Sequence, residues 1–281
     1  MTAVLVDQVR LGDHVCWTYD DESDALAAVG RFAATGLRLG QRVICLLDTL
    51  APTAVRDAVG GPADSAYPEG RLRLLPATQG YRTHGPFLPD RLITLLAGEI
   101  AAAQQEGATG LRLVGDLAPV LRDGTPHEDL CRYEAQVNGL FPDGGVAGLC
   151  LYDRRCFPAD WLRAVAAAHP ATVGPDTARS WTPLLRAYRT TDPPGLRLVG
   201  QVDTSNRTAF AAVLADAVRR GPADHPVVLD LSGISFVDVG AAHLLAEAGR
   251  GGRGVRLTGC RPSTRRLLDL VRATDPTGLP A

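Results

Sequence analysis

The sequence lacks the features that would tie the chain to a membrane, to nucleic acid or to the outside of the cell. No apolar run approaches the roughly 20 residues that a membrane span requires. Residues 1–13 lack the basic start and the long apolar core of a secretion signal. The 29 basic residues nearly balance the 31 acidic ones and leave a net charge of −2, so no positive excess favours nucleic acid or an anionic membrane. We therefore expect a cytoplasmic protein without either partner.

Cysteine pairs are missing as well, although the chain has 6 cysteines. They are spaced singly, with no Cys-x-x-Cys motif and no zinc-finger spacing. We expect free and mostly buried thiols, no structural zinc and no cofactor. With 281 residues, of which 46% are hydrophobic and 21% are charged, the chain is long enough for two globular domains.

Apolar strand-like segments alternate with amphipathic helix-like segments, which predicts an α/β protein with a parallel sheet. In the first domain, over residues 1–170, we expect strands at 13–19, 42–48, 71–77, 110–117 and 146–153, and helices at 22–37, 86–106, 126–140 and 158–168. Residues 171–194 are rich in Pro, Thr and Gly and are expected to form a linker that ends near 192–195. A smaller α/β domain is expected over 195–281, with strands at 195–203, 225–238 and 254–260 and helices at 204–220, 239–251 and 262–274.

The second domain contains a specific motif. Its first strand reads GLRLVGQVD and is followed, after a helix, by VVLDLSGISFVDVGAAHLL. The residues that fit the pattern D-L-S-x-[VI]-x-[FY]-[IVM]-D are Asp230, Leu231, Ser232, Phe236 and Asp238. Residues 195–274 therefore resemble a STAS domain, the module of bacterial anti-sigma-factor antagonists. The resemblance implies a regulator of transcription that binds an anti-sigma-type protein or a second copy of itself.

The turn after this motif departs from the phosphorylatable members of that family, which carry a serine two residues after the aspartate. Here Asp238 is followed by Val239 and Gly240, and glycine has no hydroxyl to accept a phosphoryl group. The charge that such a switch would add therefore has no acceptor at this position. Three nearby serines lie at other positions, and whether one of them replaces the missing acceptor is open: Ser232, Ser235 and Ser263. We expect a rigid interaction or dimerisation module, with Asp238 as a helix cap and Val239 and Ala241 on a contact surface.

The first domain begins with a strand DHVCWTY, a helix DALAAVGRFAATGL, a turn RLGQ and a strand RVICLLD, and it contains Gly36-Leu37 and Gly40-Gln41-Arg42-Val43. This order and this run resemble a RecA/KaiC-like ATPase core, but the phosphate loop is missing. The loop between the first strand and the first helix reads YDDESD, at 19–24, and contains neither the glycines nor the lysine of a phosphate loop. Its carboxylates would repel phosphate oxygens by about 1–4 kcal/mol each at short range. We expect no ATPase or kinase activity, and we expect the acids to cap the helix that follows.

The first domain also contains four marker segments: GDHVCWTY at 12–19, EGATGLRLVGDLAPVL at 106–121, Tyr-Glu-Ala at 133–135 and LCLYDRRCFPADWLRAVAAAHP at 149–170. With these segments, the region from Gly12 to Pro170 resembles a MEDS domain. The resemblance implies a sensory module for a small organic molecule whose identity the family does not determine. Such modules are often joined to output domains, among them STAS domains.

Candidate ligand contacts follow from the rule that parallel sheets bind ligands at the carboxyl ends of their strands. The candidates are His14, Cys16, Trp17, Tyr19, Asp48, Tyr81, His84, Asp116, Tyr152 and Arg154. His14 and Cys16 share one face of a strand, which leaves open a metal or thiol-reactive site or a packed cysteine beside a histidine bonded to backbone. No third ligand is evident from the sequence. Glu134 is expected to pair with an arginine (Arg132, Arg154 or Arg155), and His169 with Pro170 is expected to end a helix.

Three functions remain open at this stage. The two resemblances favour a regulator in which the first domain senses a small molecule and the second acts through protein contacts. The alternative is an enzyme of a small-molecule (natural-product) pathway that uses the N-terminal pocket for acid–base catalysis, although spacing identifies no catalytic set. The third is a scaffold that has lost both ligand and switch.

Overall fold

The computed structural model describes residues 2–60, 70–77, 79, 87–222, 224–250 and 254–274. These residues form two α/β units. The first is built on a six-stranded sheet in the order β3-β2-β4-β5-β1-β6, and every pair of neighbouring strands is parallel. Its strands are β1 His14–Tyr19, β2 Arg42–Leu47, β3 Leu72–Pro76, β4 Leu111–Asp116, β5 Val146–Asp153 and β6 Ala171–Val173.

Helices cover both faces of this sheet, as a parallel sheet requires. They are α1 Glu22–Arg38, α2 Pro52–Val59, α3 Pro89–Gln105, α4 Ala118–Arg122, α5 His127–Gln136 and α6 Ala159–Ala167, together with 3-10 helices at Ala3–Gln8 and Val137–Leu140. Alternation along β1 divides its side chains between two cores. Val15, Trp17 and Tyr19 pack with α1 on one face, whereas Cys16 packs with α3 and α5 on the other. His14 shares the face of Cys16.

The second unit is a four-stranded sheet in the order β10-β9-β8-β7, in which the β7–β8 pair is antiparallel and the other pairs are parallel. Its core contains apolar side chains from the strands and from all three of its described helices. The elements are β7 Leu185–Thr191, β8 Pro194–Val202, α7 Arg207–Arg220, β9 Val227–Val237, α8 Val239–Arg250, β10 Val255–Thr258 and α9 Pro262–Thr274.

The predicted fold class is confirmed, and each predicted strand lies within two residues of an observed one. The segment predicted as a linker, 171–194, differs from that expectation. It contains β6, which pairs with β1 in the first sheet, and β7, which pairs with β8 in the second. The proline-rich stretch at 192–195 turns the β7–β8 hairpin. Both pairings depend on distant or returning strands, so local composition did not reveal them. Within the described part of the chain, every helix is too short or too polar to cross a bilayer.

The two units pack against each other through α7, which contacts α5 and the 3-10 helix at Val137–Leu140. The buried carboxylate of Asp216 on α7 accepts hydrogen bonds from Arg189 at 3.0 Å and Arg220 at 3.1 Å, and it also pairs with Arg219. Gly139 lies against it so closely that an added Cβ would stand 2.9 Å from its Cγ. A second contact joins Arg186 of β7 to Asp13 through two hydrogen bonds of 2.7 and 2.8 Å.

Candidate functional site

The acidic loop before α1 serves the helix itself. Asp21 is the N-cap, and its side chain accepts a hydrogen bond from the Ser23 backbone at 2.7 Å. Glu22 lies in the first turn and pairs with Arg155 at 3.0 Å, while Asp20 pairs with Arg154 at 3.1 Å. The predicted capping role is confirmed for Asp21, whereas Asp20 and Glu22 form ion pairs with arginines. Arg154, predicted as a ligand contact, instead holds the loop from the end of β5.

The carboxyl ends of β2 and β4 are fastened by Asp116. Its buried carboxylate accepts hydrogen bonds from the backbone of Thr49 at 2.7 Å, Ala118 at 3.1 Å and Asp48 at 3.2 Å. Burial raises the pKa of Asp116 although these donors oppose the shift. The Asp48 side chain pairs with Arg122. Asp48 and Asp116, which were predicted as ligand contacts, therefore stabilise the loops that follow β2 and β4.

The other predicted contacts do not form one site. Trp17 and Tyr19 are 1% and 2% exposed and pack in the core on the α1 side. His14, Cys16 and Tyr152 lie on the opposite side of the sheet, where Cys16 is fully buried. Tyr81 and His84 fall outside the described residues.

A cluster of buried polar side chains, which we name the His–Glu–Cys cluster, lies on this opposite side. It consists of His14 in β1, Glu134 in α5, Cys150 in β5 and His169, two residues beyond α6. Glu134 and His169 are 0% exposed, His14 is 1% exposed and Cys150 is 7% exposed. The prediction that Glu134 pairs with an arginine is wrong. Its carboxylate is buried among these residues because it lies on the apolar side of α5, beside Tyr133.

The polar atoms of the cluster converge on one point. His14 Nε2 lies 3.3 Å from Glu134 Oε2 and 3.3 Å from Cys150 Sγ. His169 Nε2 also lies 3.3 Å from Glu134 Oε2, and Cys150 Sγ lies 3.7 Å from it. One ligand atom from each of the four residues can be chosen so that all lie within 4.8 Å of one another. The third partner that the sequence did not reveal for His14 is therefore present, and the cysteine concerned is Cys150 rather than Cys16.

Hydrogen bonds from outside the cluster orient its side chains. Asn138 donates its amide protons to the backbone carbonyls of Glu134 at 2.7 Å, Ala135 at 3.0 Å and Ala168 at 2.8 Å. Its Oδ1 is therefore an acceptor, and His14 Nδ1 donates to it at 3.0 Å.

The ring of His169 is oriented in a similar way, because its Nδ1 donates to the Val165 carbonyl at 2.7 Å. In both rings Nδ1 is the donor to these acceptors, and Nε2 faces the cluster. Burial and the neighbouring His14 lower the pKa of His169 to about 3, so its imidazole is neutral. Tyr152 donates its hydroxyl to Glu134 Oε1 at 2.5 Å.

The strand pairing makes room for this cluster. His14 stands opposite Gly148 in the β1–β5 register. A Cβ at Gly148 would lie 2.9 Å from Phe141 Cζ and 3.2 Å from His14 Cδ2, and the His14 and Phe141 rings stack at 4.6 Å. Sequence reasoning missed Glu134 and His169 as partners of His14. A signal for Glu134 existed, because position 134 lies on the stripe of Leu130, Tyr133 and Val137, which are all buried.

Two pockets flank the cluster. One has a volume of about 150 Å³ and is lined mostly by leucines of β2, β3, β4 and α3. It shares Leu46, Leu92, Leu96 and Leu113 with a separate space of about 10 Å³ beside His14 and Cys150. The other has a volume of about 530 Å³ and lies between the two units. Its mainly apolar lining comes from the end of α6, from β6, from the segment between β6 and β7 and from the segment that precedes α7. It includes Arg163, His169, Pro170, Trp181, Leu184, Thr204 and Asn206.

The turn of the second unit that lacks a serine is filled by an arginine. Asp238 Oδ1 accepts a hydrogen bond from the Ala241 backbone at 2.7 Å and so caps α8, as predicted, while its Oδ2 pairs with Arg207. A Cβ at Gly240 would lie 2.4–2.6 Å from the Arg207 guanidinium. Val239 is 56% exposed, as expected of a contact surface, whereas Ala241 is fully buried and does not belong to one.

Two family models match the chain. One, described as "MEDS: MEthanogen/methylotroph, DcmR Sensory domain", matches residues 13–170. The other, described as "Mlab, STAS domain", matches residues 186–279 and so begins within β7. Both resemblances inferred from the sequence are confirmed. Among solved structures, the flagellar accessory protein FlaH from Methanocaldococcus jannaschii aligns at 10% sequence identity with a TM-score of 0.42, over 72% of this chain and 82% of that chain. The comparison with curated proteins found no match.

Proposed function

The chain belongs to the MEDS family of sensory domains, and we propose that it binds a small organic molecule and responds through protein contacts of its STAS domain. The observation that carries this proposal is the pocket of about 530 Å³ between the two units. Its size lies in the range of about 300–1,000 Å³ that is usual for small-molecule sites, and interfaces between domains are a common location for them.

The lining of this pocket indicates a largely apolar ligand. Apolar surface predominates in it, and Trp181 and Leu184 contribute to that surface. Arg163 is the charged side chain of the lining, so a carboxylate on the ligand would find a counter-charge. We therefore propose an aromatic or aliphatic molecule of drug-fragment size, with or without an acidic group.

The position of the pocket offers a direct route from ligand to output. Ala167 and Thr172 line it from the first unit, and Thr204 lines it from the second. A ligand that contacts both units differs in affinity between closed and separated arrangements, and this difference is what allows a ligand to shift an equilibrium. The ion pairs of Asp13 with Arg186 and of Asp143 with Arg189 and Arg220 join the two units and would define the closed arrangement.

The output surface that we propose lies beside the capped turn of the STAS domain. Phe236 is 49% exposed and Val239 is 56% exposed, on either side of Asp238. Exposed large apolar side chains this close in sequence favour a protein contact. We propose an anti-sigma-type protein as the partner, with binding that does not depend on phosphorylation at residue 240.

The enzyme alternative is less well supported. Acid–base groups are concentrated in the His–Glu–Cys cluster, but His14, Glu134 and His169 are at most 1% exposed. His169 lines the interdomain pocket, but His14 and Glu134 do not, and a substrate could not reach them without displacing the surrounding core. A buried set of this kind suits a structural or binding role better than turnover.

The proposal is tested by thermal unfolding of the full chain against a panel of small aromatic and aliphatic compounds, each present as the neutral amide and as the carboxylate. We expect at least one compound to raise the Tm, since a ligand that binds only the folded state stabilises it. Ala167→Trp and Thr204→Trp fill the pocket from opposite units and should abolish the shift. Ala101→Trp, on the exposed side of α3, is the matched control and should retain it.

A Tm shift that survives both pocket-filling substitutions would place the ligand elsewhere and refute the interdomain site. For the output, Phe236→Ser and Val239→Ser should weaken binding to an anti-sigma-type protein in a pull-down. Leu270→Ser, at a residue of α9 that is 63% exposed, should leave that binding unchanged.

A further inference from the structure

We propose that His14, Glu134, Cys150 and His169 bind one divalent metal ion of the zinc class in a closed, four-coordinate site. This inference is independent of the ligand proposed above. It begins with the orientation of the two imidazole rings. Nδ1 of His14 bonds Asn138 and Nδ1 of His169 bonds the Val165 carbonyl, so both Nε2 atoms face the Glu134 carboxylate and the Cys150 thiol. Two imidazole nitrogens, a carboxylate and a thiol that converge in a buried space are the donor set of a metal site.

The Nε2 atom of His169 gives the most direct indication of an ion. It is buried and has no hydrogen-bond partner among the described residues, although it lies 3.3 Å from Glu134 Oε2. Buried polar atoms are almost always satisfied, and those that are not call for an explanation such as an ion.

Four of the six separations between ligand atoms lie in the range of a tetrahedral metal site. Zinc lies about 2.0–2.1 Å from histidine nitrogen, about 2.0–2.2 Å from carboxylate oxygen and about 2.3 Å from thiolate sulfur. Tetrahedral geometry then places neighbouring ligand atoms about 3.3–3.7 Å apart. The four separations around Glu134 and His14 are 3.3, 3.3, 3.3 and 3.7 Å, and all four ligand atoms lie within 4.8 Å of one another. Binding would therefore draw His169 closer to His14 and Cys150.

The surroundings also have the form that metal sites require. Metal-binding histidines donate their other nitrogen to a carbonyl or carboxylate, and ligating carboxylates are themselves hydrogen-bonded. Here Asn138 orients His14, the Val165 carbonyl orients His169, and Tyr152 orients Glu134 at 2.5 Å. Each of these positions its ligand without contacting the proposed ion.

The ligand set selects the class of metal. Two imidazoles, one carboxylate and one thiolate suit zinc or a related transition metal, whereas Mg²⁺ and Ca²⁺ prefer oxygen ligands. On binding, the Cys150 thiol loses its proton to solvent, so one proton is released per ion. The two charges of the ion then balance the carboxylate and the thiolate, and the buried site is neutral overall. Four protein ligands leave no open position, which is typical of a structural rather than a catalytic site.

The test uses the full chain after removal of metal with a chelator, followed by titration with Co²⁺ and with Zn²⁺. We expect one ion per chain by elemental analysis. The Co²⁺ form should show thiolate-to-metal charge transfer in the near ultraviolet and the strong visible absorption of a tetrahedral site. Cys150→Ala should remove the thiolate-to-metal charge-transfer band and weaken metal binding at least about 100-fold.

Tyr152→Phe removes the hydroxyl that positions Glu134, and it should weaken metal binding about 10–100-fold and retain the band.

Cys16→Ala is the matched control, because Cys16 is equally buried and stands opposite Cys150 in the strand register. It should retain both the band and the stoichiometry. Wild-type protein that takes up no Co²⁺ or Zn²⁺ at micromolar concentration would refute the site and leave a proton-sharing network. A charge-transfer band that persists in Cys150→Ala would also refute it. The wild-type titration decides the question even if a variant fails to fold.

Discussion

The guanidinium group of Arg207 occupies the space that a side chain at residue 240 would need. A Cβ added to Gly240 would lie 2.4–2.6 Å from the guanidinium atoms, and Arg207 is held there by its ion pair with Asp238. Two features therefore prevent phosphorylation at the position where phosphorylatable STAS domains carry serine. Residue 240 has no hydroxyl, and the guanidinium group of Arg207 from α7 fills the space of its side chain.

Gly240→Ser should destabilise the protein by about 1–2 kcal/mol, because the new side chain displaces Arg207 from Asp238. In the Arg207→Ala background the same substitution should cost much less, since the obstruction is gone. The measurement is the free energy of unfolding in urea for both single variants and the double variant. Gly249→Ser in the same helix is the control, because its nearest obstacle is a carbonyl oxygen at 3.9 Å. Strictly additive effects of the two changes would contradict this interpretation.

Asp21→Ala should lower the Tm by about 2–4 °C, because the first turn of α1 loses the acceptor of its Ser23 N–H. Hydrogen bonding by Ser23 lowers the pKa of Asp21. The stabilisation is therefore complete above the unfolded-state pKa of about 3.9 and is lost as the pH falls through the lower folded-state pKa. Asp20→Ala, which breaks an exposed pair with Arg154, should change the Tm very little. Equal Tm losses at neutral pH would argue against a capping role specific to Asp21.

Two helical glycines should respond in opposite ways to alanine. A Cβ at Gly36 in α1 would lie 2.6 Å from Arg112 Cδ and 3.1 Å from Val43 Cγ2, whereas a Cβ at Gly98 in α3 meets nothing within 4 Å. Arg112 cannot easily yield, because its guanidinium bonds Gln41 at 2.8 Å and stacks 4.4 Å above Phe32. Chemical unfolding should show a loss of about 1–3 kcal/mol for Gly36→Ala. It should show a gain of up to about 1 kcal/mol for Gly98→Ala, and effects of the same sign would refute this packing argument.

Asp216→Ala should loosen the contact between the two units. The change removes the buried carboxylate that holds Arg189 and Arg220, the two arginines that also pair with Asp143 of the first unit, and it should cost about 1–3 kcal/mol. Cleavage within 174–184, the segment between β6 and β7, should become faster in limited proteolysis. Asp269→Ala, at an exposed aspartate of α9, is the control for losing a helical carboxylate. Unchanged cleavage in Asp216→Ala would show that this hub does not hold the units together.

Most of the fold could be predicted because the signals are local. The near-continuous apolar run of β5 and the period of α1 identify these elements without knowledge of their neighbours. Short elements such as α2 were missed, and β6 was read as linker, because three residues carry no period of their own. The pairing of Ala171 with Val15 forms only once the remainder of the sheet is in place.

The site was predicted only in part, for the same reason. His14 was identified, but the sequence paired it with Cys16, its neighbour along the strand. In the structure its partners are Glu134 and Cys150, more than 100 residues away. Glu134 was assigned to an arginine because carboxylates on helices are usually exposed, yet it is 0% exposed here.

By itself, the sequence determined the fold class, the family of each domain, the capped helix after the acidic loop and the loss of the serine at residue 240. Each of these depends on residue types at short spacing, and such local signals do not depend on the tertiary structure. Only the tertiary structure decided that His14, Glu134, Cys150 and His169 meet at one point, and that Arg207 fills the turn beside Gly240. Those meetings depend on crossover connections that bring distant residues onto one face of a sheet, and burial then determines which lone pairs and charges must find a partner.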